Sequence, residues 1–124
     1  MIFALAGNKP VFGLPGHPVS AAVSFSLFVE PVLATLAGQV DHGLPQRKTV
    51  AARLLRNISS AAGRTDFVRV RIGRKCKATG FEAQPILGTS GALSTMVKAH
   101  GYIVVGESEQ GVKGGEMVEV ILYE

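Results

Sequence analysis

The chain has 124 residues, of which 47% are hydrophobic, so its composition excludes a disordered protein and allows one ordinary domain or two small ones. The formal charge of +4 suits an anionic small molecule, but the basic residues are too dispersed, and the aromatic residues too few, to predict nucleic-acid binding. The single cysteine, Cys76, has no intrachain disulfide partner, which favours a reducing and cytoplasmic compartment.

Two short strands open the predicted fold, at residues 3–5 and 11–13, and residues 8–10 between them are typical of a turn. The start of the chain has no basic region, and its apolar run is too short for a signal peptide. We therefore expect folded structure at this end of the chain and no targeting segment.

The next segment, GLPGHPVS at residues 13–20, predicts a strand that runs into a tight glycine-rich turn and then opens a helix. Gly13 and Gly16 permit backbone angles that a Cβ would penalise, and Pro18 suits the first position of a helix. Because the amides at a helix start favour an anion, this turn is a candidate anion site. A plain strand-to-helix connector explains the same spacing.

The helix that starts near Pro18 is predicted to kink or break at Pro31 and to stop at Gly38. Apolar residues cover most of its faces, which predicts burial on most sides, whereas Glu30, Pro31 and several serines argue against a membrane span. Because the rest of the chain offers little to cover this helix, we expect residues 1–40 to be the tail of a larger α/β domain. The chain is then a fragment, or one piece that pairs with another polypeptide.

Beyond a polar linker at residues 41–48, the pattern predicts strands and glycine-rich turns from residue 49 to residue 124. Strands are expected at residues 49–55, 67–72, 102–105 and 117–122, loops at 57–63 and 111–115, and a less regular segment at 78–86. Several short strands separated by glycine turns are typical of a small antiparallel barrel or clip.

The three histidines, His17, His42 and His100, are too scattered to predict a metal site, and the sequence contains no Ser-His-Asp order with a nucleophile elbow. Groups that could hold an anion do recur, and they are the helix start at residues 16–20, Lys9, Arg69 and a Gly/Ser turn at Ser90. A solvent-facing strand arginine and an ordinary turn serine are the simpler interpretations of Arg69 and Ser90.

A series of motifs follows the order found in the C-terminal part of the MoeA family, which comprises the molybdopterin molybdenumtransferases and is related to gephyrin. They are GLPGHPVSA at residues 13–21, LAG at 36–38, GRTDFVR at 63–69, TSGALS at 89–94, GYIVV at 101–105 and GVKGGEMVEV at 111–120. The chain resembles this family over nearly its whole length.

The resemblance implies a fold class of α/β plus all-β. Residues 1–40 would be the terminal strand-turn-helix of a molybdopterin-binding α/β domain, and residues 41–48 would be a linker. Residues 49–124 would form the small antiparallel β barrel or clip that is the family's C-terminal domain, domain IV.

The resemblance also implies a role in molybdenum cofactor biosynthesis, in which the parent enzyme inserts molybdate into adenylylated molybdopterin with Mg²⁺ assistance. Arg69 and Ser90 match the family positions proposed to contact molybdate, and Lys9 is a further basic contact for the anion. The positions implied for the molybdopterin phosphate at the helix start are Gly13, Pro15, Gly16, His17, Pro18 and Ser20. Both molybdate and tungstate remain open as the oxyanion.

Two positions depart from the family pattern. Ala6-Gly7 stands where the family often has a lysine-proline pair, and His17 replaces an asparagine, which is the stronger helix cap. The resemblance further implies a cytoplasmic homodimer that binds neither membrane nor nucleic acid, and an isolated chain that is inactive without the N-terminal part of its parent. A non-catalytic, gephyrin-like module that binds a peptide is the alternative function.

Overall fold

The computed structural model describes residues 1–39, 47–74, 80–88 and 93–123. The chain divides into two compact units, an N-terminal unit of Met1–Gln46 with Thr89–Leu93 and a barrel unit of Arg47–Gly88 with Ser94–Glu124. Most of the predicted linker lies outside the described residues, so the predicted domain boundaries stay a prediction.

The N-terminal unit begins with a β-hairpin. Strands β1 (Ile2–Ala6) and β2 (Lys9–Gly13) pair antiparallel, and Phe3 faces Phe12 across the pair with ring centroids 5.1 Å apart. The two strands were predicted, but the turn was placed wrongly. It consists of Gly7 and Asn8, because Gly7 has φ of 61° and supplies the positive φ that a two-residue hairpin loop requires.

A short connection after β2 leads into helix α1 (Pro18–Ser24), as the glycine-rich segment predicted. Pro18 occupies the first turn, and His17 stands at the N-cap with extended backbone angles of −78° and 126°. The expectation that Gly13 and Gly16 need backbone angles closed to other residues is wrong, since neither has φ in the left-handed region. The helix start is instead formed by the fixed φ of Pro18.

The helix continues from α1 through a π-helical turn at Phe25–Val29 into α2 (Glu30–Leu36). A break at Pro31 is excluded, because the chain remains helical across it, whereas the kink that was the other expectation stays a prediction. The N–H of Glu30 donates to the carbonyl oxygen of Phe25, five residues back, and this wider turn immediately precedes the proline. A proline inside a helix has no N–H to donate, and its ring clashes with the carbonyl of the residue four positions earlier. The wider π-helical turn relieves this clash.

Gly38 ends the helix, as predicted, with φ of 72°. Its N–H donates to the Thr35 carbonyl at 3.1 Å, and the N–H of Gln39 donates to the Ala34 carbonyl at 3.0 Å. These two bonds form a Schellman motif, which satisfies carbonyls that the helix end would leave unpaired.

By length and composition alone, Pro18–Leu36 is apolar enough to cross a membrane, a property it shares with core helices of soluble proteins. All residues of this segment are described, and Val19 is the one that is buried. The interpretation as a helix of a soluble domain, covered by other polypeptide, stays a prediction.

A closed five-stranded barrel dominates the second unit, in the order β3-β6-β5-β7-β9. Its strands are β3 (Thr49–Leu54), β5 (Asp66–Arg74), β6 (Phe81–Pro85), β7 (Gly101–Val105) and β9 (Met117–Leu122). A small sheet pairs β4 (Ile58–Ser59) with β8 (Gly111–Val112), and helix α3 spans Leu93–Lys98. The predicted barrel is present, but it is not wholly antiparallel, because β3 and β6 pair in parallel.

Three predictions for this unit need correction. The loops expected at residues 57–63 and 111–115 contain β4 and β8, and the segment expected to be irregular contains the regular strand β6. Helix α3 was not predicted at all. Two-residue strands carry no periodic signal of their own, so their existence depends on pairing between distant segments.

The barrel interior contains the described core of the chain. Its buried members are Ala52, Leu54, Ile58, Val70, Ala83, Ile103, Val105 and Val120, none more than 5% exposed. Two glycines allow strands to approach closely here: a Cβ on Gly101 would lie 2.2 Å from the Ile121 carbonyl oxygen, and one on Gly111 would lie 2.1 Å from that of Ile58. Both positions therefore exclude larger residues.

Candidate anion-binding site

Arg69 lies on β5, directly opposite Tyr102 on β7. Its chain neighbour Val70 is fully buried in the barrel core, so alternation along the strand turns Arg69 to the outer face of the barrel. Arg69 is nevertheless only 7% exposed. The interpretation of Arg69 as a solvent-facing strand arginine is therefore wrong.

Aromatic side chains and α3 account for this burial. Tyr102, which shares the outer face with Arg69, is 3% exposed and packs against Phe67 and Tyr123, with ring centroids 5.9 Å and 5.6 Å away. Thr95 of α3 lies against the guanidinium group itself. The outer face of the β5–β7 pair is therefore covered by side chains at this point.

A neutral group holds the guanidinium. Nη1 of Arg69 donates a hydrogen bond to Oγ1 of Thr95. In the described part of the chain, no carboxylate forms an ion pair with Arg69. Because an arginine side chain keeps its positive charge at physiological pH, the site has a buried charge that these residues do not neutralise.

Tyr123 shows the electrostatic character of this region. Burial raises the pKa of the Tyr123 hydroxyl above its usual value of 10.0, while the positive charges of Arg69 and Arg47 act in the opposite direction. The hydroxyl therefore remains protonated near neutral pH. The positive charges of Arg69 and Arg47 thus both act on the Tyr123 hydroxyl.

Arg64 and Asp66 lie at the entrance to β5. Arg64 Nε is 3.0 Å from Asp66 Oδ1, and Ser60 donates a hydrogen bond of 2.7 Å to Asp66 Oδ2. The N–H of Gly63, whose φ is 86°, donates to the Glu107 carbonyl. These contacts position the loop and belong to the scaffold that holds Arg69.

The other predicted anion contacts are Ser90, Lys9 and the start of α1. Ser90 lies outside the described residues. Lys9 is exposed at the start of β2, whereas Gly13 ends the same strand, so about 13 Å of strand separates Lys9 from the turn that opens α1. An anion contact at Lys9 stays a prediction.

The remaining predicted positions surround the start of α1. Pro15 and Ser20 are half-buried, and Gly16, His17 and Pro18 are exposed. His17 forms no side-chain capping hydrogen bond within the described part of the N-terminal unit. A role for these residues in holding a phosphate stays a prediction.

Thr95 and Tyr123 are the site residues that sequence reasoning missed. One signal was present: Leu93, Met96 and Val97 have the helical spacing of three and four residues, which indicates α3 and would have placed Thr95 on a helix. Tyr123 carried no such signal, because its role depends on a ring contact with Tyr102 across the fold.

Known proteins resemble this chain in sequence. Residues 51–123 match the family described as the MoeA C-terminal region, domain IV. A molybdopterin biosynthesis protein of Methanocaldococcus jannaschii is 38% identical over 121 residues, and molybdopterin molybdenumtransferase 1 of Mycobacterium tuberculosis is 34% identical over 115 residues. These alignments cover 97% and 90% of this chain, but 26% of each relative.

A solved structure shows the same fold. The crystal structure of a MoeA molybdopterin biosynthesis protein from Pyrococcus horikoshii superposes with a TM-score of 0.76 and 33% identity, covering 98% of this chain and 28% of the other. The chain is thus similar to proteins of molybdenum cofactor biosynthesis, and it spans about a quarter of the length of the curated relatives above. It belongs to the MoeA family.

Proposed function

We propose that this chain serves molybdenum cofactor biosynthesis as the C-terminal part of a molybdopterin molybdenumtransferase, and that Arg69 binds the molybdate to be inserted into adenylylated molybdopterin. The names of the relatives support the reaction. The observation that carries the site is a buried arginine, held by a threonine hydroxyl and without a carboxylate ion pair among the described residues. A guanidinium in that state offers charge and fixed donors to a tetrahedral oxyanion.

The contribution of this chain is binding and orientation. Molybdate and molybdopterin are the substrates, and they supply the bonds that form and break. The described residues group no three His, Cys, Asp or Glu side chains that could hold a metal ion. The involvement of Mg²⁺ stays a prediction for the longer parent protein.

Calorimetric titration of the chain with sodium molybdate tests the site. Arg69→Ala is expected to weaken binding about tenfold to a hundredfold, because a hydrogen bond to a charged group is worth roughly 1.5–3 kcal/mol. Arg71→Ala is the matched control, since Arg71 lies two residues along the same strand but is exposed, and it should change the affinity less than twofold. Equal affinities for wild type and Arg69→Ala would refute the site.

A chimera tests the activity. The C-terminal quarter of the Mycobacterium tuberculosis relative would be replaced by this chain, and molybdenum insertion would be measured for the chimera and its Arg69→Ala and Arg71→Ala variants. We expect activity to survive in the chimera and in Arg71→Ala and to be lost in Arg69→Ala. A chimera that is folded, binds molybdopterin and inserts no metal would count against the proposed function.

We also propose that other parts of a longer cytoplasmic parent protein cover the apolar helix at residues 18–36. Exposed Phe25, Phe28 and Leu36 support this, because large uncovered apolar patches usually mark interfaces. Light scattering should then show self-association of the isolated chain, reversed when the N-terminal part of the parent is added. A stable homodimer that ignores that addition would assign the helix to a dimer interface instead.

The alternative function, a gephyrin-like module that binds a peptide, stays a prediction. This alternative predicts a different result in the titrations. Because a peptide-binding surface does not require Arg69, neither the wild-type chain nor any variant would bind molybdate.

A further inference from the structure

We propose that Thr95 is the positioning residue of the oxyanion site: its hydroxyl holds the guanidinium of Arg69 in one orientation while leaving the positive charge available to the ligand. This inference rests on the proposed function of Arg69. It goes further by assigning a role to Thr95, an uncharged residue of α3 that the anion need not touch.

The geometry supports this role. Arg69 extends from the outer face of β5, and a long side chain there would sample many rotamers if it were free in solvent. The bond from Nη1 to Thr95 Oγ1 connects the far end of that side chain to a second element, α3, which is 26 residues away along the chain. Tyr102, opposite Arg69 in register and 3% exposed, covers the outer face beside it. The guanidinium is thus fixed from the strand and from the helix.

The chemistry of the holding group matters as much as its position. A carboxylate would orient a guanidinium at least as firmly, through paired hydrogen bonds, but it would also neutralise the charge that attracts an oxyanion. A hydroxyl accepts one hydrogen bond and carries no charge. Threonine therefore orients Arg69 and leaves its charge for a ligand, whereas an aspartate at the same place would make an internal salt bridge.

Three substitutions separate this role from a purely structural one, using molybdate as the probe in calorimetric titrations of the whole chain. Thr95→Ser keeps the acceptor and should bind within about twofold of wild type. Thr95→Val removes it at nearly the same shape and should bind roughly three- to tenfold more weakly. Thr95→Asp should bind at least tenfold more weakly although it can still pair with Arg69. A Thr95 that only packs against Arg69 predicts instead that Thr95→Val binds like wild type.

A double-mutant cycle shows whether Thr95 acts through Arg69. In an Arg69→Ala background, Thr95→Val should have no further effect on the molybdate affinity. Additive losses would overturn the inference, because they would mean that Thr95 contributes independently of the guanidinium. Thermal melts of each variant identify any loss of binding that comes from unfolding, and Thr95→Ser then supplies the comparison in a folded chain.

The outcomes also separate this inference from the proposed function. If Arg69→Ala weakens binding while Thr95→Val and Thr95→Asp bind like wild type, the inference is wrong and the oxyanion site at Arg69 stands. If wild type and Arg69→Ala do not differ in molybdate binding, the proposed site fails and the inference fails with it. The inference is supported if Thr95→Val and Thr95→Asp bind molybdate more weakly than wild type while Thr95→Ser keeps the wild-type affinity.

Discussion

The barrel unit and the N-terminal unit differ in where they keep their apolar side chains. In the barrel unit, Leu54, Val70 and Val120 are at most 1% exposed. In the described part of the N-terminal unit, Val19 is the one buried residue, while Ile2 and Leu36 are 72% and 67% exposed. Both units have regular secondary structure, so regularity of the backbone does not by itself indicate a core.

The physical difference is the source of stability. A closed barrel removes its own apolar surface from water, and that burial is the main favourable contribution to folding. A hairpin and a helix with exposed apolar side chains keep their hydrogen bonds but gain little from burial, and most helical stability in proteins comes from packing of the apolar face. We therefore expect equivalent substitutions to have different effects in the two units.

The largest difference is expected between two leucine substitutions. Leu54→Ala should lower the free energy of unfolding of the barrel by about 2–5 kcal/mol, because it leaves a cavity in a filled core. Leu36→Ala removes a side chain that is 67% exposed and should change stability by less than about 0.5 kcal/mol. Urea unfolding followed by circular dichroism measures both. Equal losses would show that Leu36 is covered in solution.

A glycine pair tests close packing within the barrel. Gly101→Ala should destabilise it by about 1–3 kcal/mol or more, because the new Cβ would meet backbone atoms of β9. Gly73→Ala is the control: it lies on β5, and its Cβ would meet no described atom within 4 Å. Thermal melts compare the two. A Gly101→Ala variant as stable as Gly73→Ala would contradict the tight β7–β9 approach.

A second glycine pair tests the N-terminal unit, where local geometry takes the place of a core. Gly38→Ala should destabilise the end of the helix by about 1–2 kcal/mol, because φ of 72° strains a residue with a Cβ. Gly16→Ala, whose φ lies outside the left-handed region, should be close to neutral. The helical circular dichroism signal during heating reports both. Identical melting curves would argue against the Schellman motif.

A smaller gain is expected at the start of the same helix. His17→Asn should stabilise α1 by about 0.5–1 kcal/mol, because asparagine can accept a hydrogen bond from a first-turn N–H. In the described structure, His17 forms no such bond. His17→Ala is therefore expected to be nearly neutral in the same melts. A clear loss in His17→Ala would show that the imidazole already contributes to this end of the helix.

The smallest expected effect is on how the free energy of unfolding depends on pH. The pKa of Tyr123 is raised in the folded state, so the unfolded chain loses this proton first as the pH rises above 10.0. The stabilising contribution of the neutral hydroxyl is present below pH 10.0 and is lost as the pH rises through the folded-state pKa. Unfolding measured from pH 9 to pH 12 should show a decline that is smaller in Tyr123→Phe. The same slope in both chains would exclude Tyr123 as its cause.

Local signals in the sequence accounted for much of the N-terminal unit. Pro18 predicted the helix start, and Gly38 predicted its end, because proline geometry and a positive φ act within one helical turn. Of the kink or break expected at Pro31, the break is absent, because a π-helical turn keeps the helix continuous. Local reasoning also placed the hairpin turn too late, since the requirement for positive φ fell on Gly7.

In the barrel, alternation predicted the long strands β3, β5, β7 and β9, but not how they pair. The parallel pairing of β3 with β6 and the two-residue strands β4 and β8 bring together segments that are distant in sequence, and no periodic pattern within either segment reports them. The residue patterns and the family resemblance both left a barrel and a clip open, and the closed strand pairing of the structure shows the barrel.

At Arg69, the sequence and the tertiary structure determine different properties of the side chain. Its residue type and its position on a strand favoured an exposed side chain, and the order of the family motifs made an anion contact an equal alternative. Tertiary structure decided that Arg69 is buried, because Tyr102 and α3 cover the outer face at that point. Strand alternation determines which face a side chain is on, whereas exposure depends on what another segment places over that face.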